Sequence, residues 1–157
     1  MIAYQLPYYK EQRIKSGEGF EEDAADLFFP DHLYEMLHRT QDNTTNKKRF
    51  VRSSLNPDFH FEVREEPGIN FWVECKFREL HQFNEQIHIF DSEQLKRFRS
   101  FQHSFLFICV KIQREQYYYF VPFSHIRTNE LHFSFLNPYI VSVEYPVSPA
   151  LVKKYLE

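Results

Sequence analysis

The sequence predicts a layered α/β domain, in which helices pack on a β-sheet. Apolar residues of the segment 17–40 recur at helical spacing, whereas those of 58–78 alternate with a period of two. Residues 105–112 form a nearly continuous apolar run, which is typical of a strand covered on both faces. The 157 residues contain no internal repeat, so we expect a single domain over 1–157.

The first predicted element is helical. Its apolar positions with helical spacing are Phe20, Ala24 and Leu27. Pro30 interrupts the pattern, and because proline suits only the first turn of a helix, we expect a kink or a second helix over Asp31–Arg39. The polar segment 41–48 predicts a loop.

Three strands are expected next. Arg49–Ser53 predicts a short strand, and Asp58–Glu65 and Phe71–Arg78 alternate clearly between apolar and polar residues. The turn residues Glu66–Gly68 separate the last two strands, which predicts a β-hairpin. One face of this hairpin is apolar and belongs to the core: Phe59, Phe61, Val63, Phe71, Val73, Cys75 and Phe77.

A helix and further strands complete the predicted order. Ser92 is expected to cap a helix that runs to about His103, with an apolar side formed by Leu95, Phe98 and either Phe101 or Gln102. After the buried strand Phe105–Ile112, a turn at 114–115 leads into Tyr117–Val121, which Pro122 stops. The last predictions are a short strand, Tyr139–Val143, and a small helix, Pro149–Leu156.

Composition excludes several classes of protein. With 43% hydrophobic, 18% aromatic and 26% charged residues, the chain is not intrinsically disordered. Its longest apolar run is far shorter than the ~18–20 residues of a membrane span, and its start lacks a secretory-signal pattern. Cys75 and Cys109 lie in apolar strands, so we expect free buried thiols in a cytoplasmic protein rather than a disulfide scaffold. The net charge of -3 disfavours non-specific nucleic-acid binding unless metal ions supply positive charge.

The polar face of the predicted hairpin carries a cluster with chemical potential. Antiparallel pairing across the turn allows partner numbers that sum to either 132 or 134, which would place Asp58 opposite Glu74 or Lys76. Both registers bring two carboxylates and an ammonium group together. Paired carboxylates are suited to a hard divalent cation such as Mg²⁺, and a lysine can position water and offset phosphate charge.

These residues stand in a recognisable pattern. Pro57-Asp58, followed by Glu74-Cys75-Lys76 in an apolar strand, resembles the PD-(D/E)xK nuclease superfamily, which has the restriction-endonuclease-like fold. The segment Gly17–Glu21 resembles the first helix of its Holliday-junction-resolvase-like and Mrr-like members, and Gln94-x-x-x-Phe98 is similar to a Gln-x-x-x-Tyr element of some exonuclease-type members. The resemblance covers about 17–121. It implies a central mixed sheet with helices on both faces, in the order α-β-β-β-α-β plus C-terminal additions.

The resemblance also implies an activity and a set of site residues. The activity would be Mg²⁺- or Mn²⁺-dependent hydrolysis of phosphodiester bonds in DNA, by an endonuclease that dimerises if it cuts two strands. The metal would be held by Asp58, Glu74 and the backbone carbonyl of Cys75, and Lys76 would act on the attacking water. Glu21 would support the metal or orient a ligand, and Gln94 would have a supporting role.

Glu21 is also singled out by its position on the first helix. It shares the apolar stripe of Ala24, Ala25 and Phe28, whereas Glu22 and Asp23 are expected to point toward solvent. A carboxylate on an apolar face is costly unless it is paired or binds a metal. An ion pair with Lys15 or Arg13 is the alternative to a place in the site.

Simpler explanations remain open. The polar hairpin face is also compatible with an exposed, salt-bridged sheet, with a catalytically silent fold that serves binding or assembly, or with an unrelated α/β protein. Two basic groups are as compatible with solvated surfaces as with phosphate contacts: Lys47, Lys48, Arg49 and Arg52, and then Lys96, Arg97 and Arg99. Among the histidines, His60 is notable because it shares its predicted face with Asp58.

Overall fold

The computed structural model describes residues 17–40, 56–79, 86–100, 105–113 and 115–157. Its main strands are β1 (Tyr34–Arg39), β2 (Phe59–Val63), β3 (Asn70–Arg78), β4 (Gln86–His88), β5 (Leu106–Ile112), β6 (Tyr117–Pro122), β7 (Glu130–His132) and β8 (Ile140–Ser142). Its α-helices are α1 (Gly17–Asp23), α2 (Ser92–Arg99), α3 (Phe133–Leu136) and α4 (Pro149–Leu156). None of the described helices is long and apolar enough to cross a membrane.

A mixed six-stranded sheet, with the order β1-β2-β3-β5-β6-β8, is the centre of the fold. Strands β3 and β5 in the middle are parallel, and the other neighbours are antiparallel. The parallel pair requires a crossover, in which α2 lies. Strands β4 and β7 form a separate two-stranded sheet that alternation did not predict, because each strand has only three residues.

Helices cover both faces of the central sheet, as predicted. On one face, Phe20 of α1 and Val152 of α4 pack in a core with Phe61, Phe71 and Phe107. On the other face, residues of α2 and β4 pack against β5 and β6: Ile87, Leu95, Phe98, Ile108, Val110 and Val121. Every residue of β5 is buried, which confirms the covered strand expected from its continuous apolar sequence.

The predicted second helix over Asp31–Arg39 is wrong. The chain turns after Pro30, whose carbonyl accepts hydrogen bonds from the backbone N–H groups of Leu33 and Tyr34, and then forms β1. The strand pairs with β2 and buries the Tyr34 side chain, whose hydroxyl donates to the Val147 carbonyl at 2.5 Å. Long-range pairing therefore overrides the local helical preference of this segment. The predicted loop 41–48 and strand Arg49–Ser53 lie outside the described residues.

The first helix differs in detail from its prediction. After Asp23 the backbone widens into a π-helical turn over Ala24–Phe28, and the Phe29 N–H donates to the Ala24 carbonyl at 2.8 Å. Asp23 is buried rather than directed to solvent, while Glu22 is exposed as expected. The prediction fails for Asp23 because it assumed ordinary helical rotation, and tertiary packing encloses that side of the helix.

The hairpin and its register agree with the sequence pattern. Phe59 pairs with Val73 and His60 with Trp72, so partner numbers sum to 132, the first of the two predicted registers. The apolar residues of β2 are buried and its polar residues are half-buried, as alternation requires. The turn contains Gly68 at φ 103°, a backbone conformation that favours glycine.

The remaining elements are close to their predicted bounds. Helix α2 begins at Ser92, but its cap is Asp91, whose side chain accepts from the Gln94 N–H. The helix ends at Arg99 within the described residues, and the predicted extension to His103, with Phe101 and Gln102, lies outside them. Strand β8 lies inside the predicted Tyr139–Val143, and α4 has the predicted bounds.

Candidate active site

The centre of the candidate site is the point where β2 begins beside β3. Continuing the hairpin register places Pro57 opposite Cys75, and proline has no N–H to donate to the Cys75 carbonyl. The Cys75 N–H donates instead to a side chain, because Asp58 Oδ2 accepts from it at 2.8 Å. The N–H and C=O of a strand residue point to the same edge, so the Cys75 carbonyl also faces the Asp58 side of β3.

Glu74, Lys76 and Gln94 form a closed hydrogen-bonded triangle next to Asp58. The Lys76 ammonium lies 3.2 Å from Glu74 Oε2 and donates to Gln94 Oε1 at 2.6 Å. The Gln94 amide donates to the same Glu74 oxygen at 3.0 Å. Glu74 and Lys76 are only 7% and 8% exposed, so these contacts are shielded from bulk water.

Helix α2 and the residue before its cap support this triangle. The Asp91 carboxylate accepts from the Gln94 backbone N–H at 2.7 Å, which fixes the first turn of the helix. The aromatic ring of Phe90 lies 5.4 Å from the Lys76 nitrogen, within the range of a cation–π contact. Sequence reasoning missed both residues, although Asp91-x-x-Gln94 has the spacing of a capping box.

Glu21 reaches the cluster from the opposite face of the sheet. It is half-buried and its side chain hydrogen-bonds Asp58, which in turn is hydrogen-bonded to Glu74. The structure therefore brings together the five predicted side chains: Glu21, Asp58, Glu74, Lys76 and Gln94. They come from both helical layers and from the hairpin between them.

Burial controls the protonation of these acids. Desolvation raises the pKa of Glu74 to about 8, the neighbouring Asp58 adds to the rise, and the Lys76 ammonium opposes it. Desolvation also raises the pKa of Asp58, although hydrogen bonds from Cys75, Glu74 and Glu21 and the charge of Lys76 counteract this effect. Burial therefore favours the protonated forms of both Asp58 and Glu74, and the Lys76 ammonium favours their ionised forms.

The donor chemistry suits a hard divalent cation, but the ligands are not preassembled around one point. Adjacent desolvated carboxyl groups and a backbone carbonyl are the oxygen donors that Mg²⁺ and Mn²⁺ prefer. Across the described ranges, however, no three histidine, cysteine, aspartate or glutamate side chains form a ready metal-binding set. The carboxyl groups are instead hydrogen-bonded to one another, to the Cys75 N–H and to Lys76 and Gln94.

Other residues noted in the sequence have different surroundings. His60 stacks on Trp72 with ring centroids 4.3 Å apart. In the last turn of α2, Arg99 donates to the Arg127 carbonyl and Lys96 is exposed, while the basic cluster of 47–52 lies outside the described residues. The Cys75 thiol is half-buried and Cys109 is buried, and both are free. Burial raises the pKa of both thiols, so neither has the character of a nucleophile.

Comparisons with known proteins give a structural relationship only. No protein-family model and no curated protein matches the chain. One solved structure that it resembles is that of Hjc, a Holliday junction resolvase from the archaeal hyperthermophile Archaeoglobus fulgidus. The match has a TM-score of 0.54 and 16% sequence identity, and it covers 88% of this chain and 98% of Hjc. The chain therefore has a restriction-endonuclease-like α/β fold, as its motifs predict.

Proposed function

We propose that this protein is a divalent-metal-dependent nuclease that hydrolyses phosphodiester bonds in DNA. The observation that carries the proposal is the convergence of Glu21, Asp58, Glu74 and Lys76 at one point of a restriction-endonuclease-like fold. The fold comparison adds support, because Hjc is described as a Holliday junction resolvase. Magnesium or manganese is the proposed cofactor.

Asp58, Glu74 and the Cys75 carbonyl would hold the cation, with Glu21 as a further acid beside Asp58. When bound, the cation would stabilise charge on a phosphoryl oxygen and favour deprotonation of water. The carboxyl groups must be ionised to bind the cation, and burial raises the pKa of both Asp58 and Glu74. Cation binding should therefore release protons and strengthen as the pH rises.

Lys76 would act on the phosphate and the attacking water. Its ammonium group is held by Glu74 and Gln94, so the side chain is already oriented before a substrate binds. A fixed positive charge in a desolvated pocket offsets the charge that develops on the phosphoryl oxygens. Gln94 is a positioning residue in this scheme, because it contacts Lys76 and Glu74.

The decisive experiment is DNA cleavage by the purified protein with Mg²⁺, with Mn²⁺ and with EDTA. Lys76→Ala should reduce the rate by roughly 10²–10⁴-fold without loss of fold, as expected for a group that positions water or stabilises charge. Glu74→Ala should abolish divalent-cation binding in calorimetry. Glu62→Gln is the matched control, because Glu62 lies on the same face of the hairpin but outside the cluster. Cleavage that persists in EDTA or in Lys76→Ala would contradict the proposal.

A catalytically silent binding module is the second candidate. The specific observation in its favour is that Asp58, Glu74 and Lys76 already satisfy one another and Gln94 by hydrogen bonds. In that case the cluster stabilises the junction of sheet and helices. A protein that binds Mg²⁺ at this site but cleaves none of a set of duplex, branched and single-stranded DNA and RNA substrates would be a silent member of the fold.

A further inference from the structure

A row of aromatic side chains runs across the hairpin next to the candidate active site. His38 of β1 pairs with His60 of β2, and His60 pairs with Trp72 of β3, so the three side chains lie on one line across three strands. The His60 and Trp72 rings are almost parallel, with an interplanar angle of 4° and centroids 4.3 Å apart. The His38 ring lies 5.8 Å from that of Trp72. We refer to these three residues as the stacking row.

The geometry of the row is fixed by hydrogen bonding and by the sheet. His60 Nε2 is 3.1 Å from the Asn70 side-chain oxygen, which holds the imidazole in the orientation that stacks on Trp72. In contrast, His38 Nε2 is buried and has no hydrogen-bond partner among the residues that the structure describes. An unsatisfied buried nitrogen costs free energy, so the His38 ring is held by its strand pairing and ring contact and not by a hydrogen bond at Nε2.

Within the described residues, the β1 and β2 part of the sheet contributes nothing to a hydrophobic core on the His60 face. Trp72 packs against the second core, but neither core contains a residue from the His60 face of β1 or β2. All three members of the row are half-buried, so part of their aromatic surface remains exposed. Half-exposed aromatic and imidazole rings next to one another are suited to stack with flat heterocycles.

The row continues directly into the candidate site. Trp72 and Glu74 are two residues apart on β3 and lie on the same face, which corresponds to ~7 Å along a strand. One DNA strand advances ~3.4 Å per nucleotide along a duplex axis, so this distance spans about two nucleotides. A phosphate bound beside Lys76 in the candidate site would therefore place a base within one or two nucleotides of the row.

From this juxtaposition we propose that His38, His60 and Trp72 bind an unpaired base of DNA beside the phosphate held at the candidate site. The inference rests on the proposed function in one respect, namely that DNA binds at the adjacent candidate site. Stacking requires an exposed π-face, so a single-stranded or branched segment would be preferred to an intact duplex, whose bases are stacked on one another. The imidazole groups can also donate hydrogen bonds to phosphate or to base edges.

The chain contains a single tryptophan, Trp72, which makes the test direct. We expect short oligothymidylate to quench the intrinsic tryptophan fluorescence in a saturable manner, with EDTA present to prevent cleavage. The duplex that it forms with oligoadenylate should quench much less. His60→Ala should weaken single-strand affinity by about tenfold or more, which corresponds to the loss of one stacking contact.

Matched variants separate stacking from general effects. His60→Phe should retain most of the affinity, because it keeps the aromatic face, and His38→Ala on the outer strand should weaken binding even if His60→Ala does not fold. His125→Ala is the control, since His125 contacts another aromatic residue, Tyr139, outside the row and the candidate site. Circular dichroism and melting curves establish that each variant is folded.

Failure of this inference differs from failure of the proposed function. If DNA is cleaved but oligothymidylate does not quench Trp72, or if His60→Ala and His125→Ala weaken binding equally, the stacking row is refuted and the nuclease stands. If quenching and the His60 effect are present but no substrate is cleaved, the stacking row stands and the nuclease is refuted.

Discussion

Replacing Glu74 by glutamine should change how the stability of the metal-free protein depends on pH. Burial raises the pKa of Glu74 from its ordinary value near 4.5 to about 8, so the folded protein binds this proton more tightly than the unfolded chain. The resulting stabilisation is complete below about pH 4.5 and is lost as the pH rises through about 8. The raised pKa of Asp58 acts in the same direction.

The magnitude follows from the size of the change in proton affinity. A tenfold change is worth about 1.4 kcal/mol, which sets an upper limit of roughly 5 kcal/mol for Glu74. Because Glu74 and Asp58 interact, their titrations are not independent, and we expect the wild type to lose about 2–5 kcal/mol of unfolding free energy between about pH 5 and pH 8.5. Glu74→Gln keeps the shape of the side chain but cannot ionise, so it should lose much less over this range.

Urea denaturation in EDTA at the two pH values is the appropriate assay. Glu74→Gln should be more stable than the wild type at the higher pH, and Glu62→Gln should follow the wild type at both. Addition of Mg²⁺ should restore the stability of the wild type at high pH but not that of Glu74→Gln. A wild type whose stability is flat from pH 5 to 8.5, or a variant that loses as much as the wild type, would refute the assignment of a raised pKa to Glu74.

Three further changes test other parts of the structure. Glu21→Gln should lower divalent-cation affinity in calorimetry and leave the metal-free melting temperature unchanged or raised, because it removes a like charge from beside Asp58. Glu22→Gln is the control and should have little effect, since the ion pair of Glu22 with Arg39 is exposed. A Glu21→Gln variant destabilised by more than ~1–3 kcal/mol would instead identify a structural hydrogen bond. Asp91→Ala should cost about 0.5–2 kcal/mol of stability, because it removes the N-terminal cap of α2. It should also slow cleavage, because the cap fixes the position of Gln94. An unchanged melting temperature would argue against the cap. Tyr34→Phe should cost ~1–3 kcal/mol in urea denaturation, since it leaves the buried Val147 carbonyl without its donor, and an unaffected midpoint would show that another group replaces the hydroxyl.

The sequence was sufficient to predict the hairpin and the face that carries its polar side chains, because both depend on local alternation. Once Phe59, Phe61 and Val63 are assigned to the core face, the side chains at 58, 74 and 76 must share the other face, and only the choice between two registers remains. The buried strand β5 and helix α4 were predictable for similar reasons. These elements are stabilised by patterns contained within a few consecutive residues.

Elements that depend on distant partners were not predictable. Tyr34–Arg39 has residues that favour a helix, and only its pairing with β2 and the contact of Tyr34 with Val147 make it a strand. The burial of Asp23 likewise depends on packing, not on helical periodicity. The pairing of β4 with β7 joins three-residue segments more than forty positions apart in the chain, for which the sequence has no local signal.

The candidate site takes Glu21 from one helical layer and Gln94 from the other. The relative positions of its side chains therefore depend on two separate hydrophobic cores. Phe20 anchors the first helix in one core and Phe98 anchors α2 in the other, and both rings are almost completely buried. A cavity in either core would let its helix settle by a fraction of an ångström relative to the sheet. Misplacement of reacting groups by ~1 Å can cost about 10²-fold in rate. Substitutions far from the carboxylates are therefore expected to disturb the candidate site while the protein stays folded, and the same dependence constrains any redesign of one helical layer independently of the other.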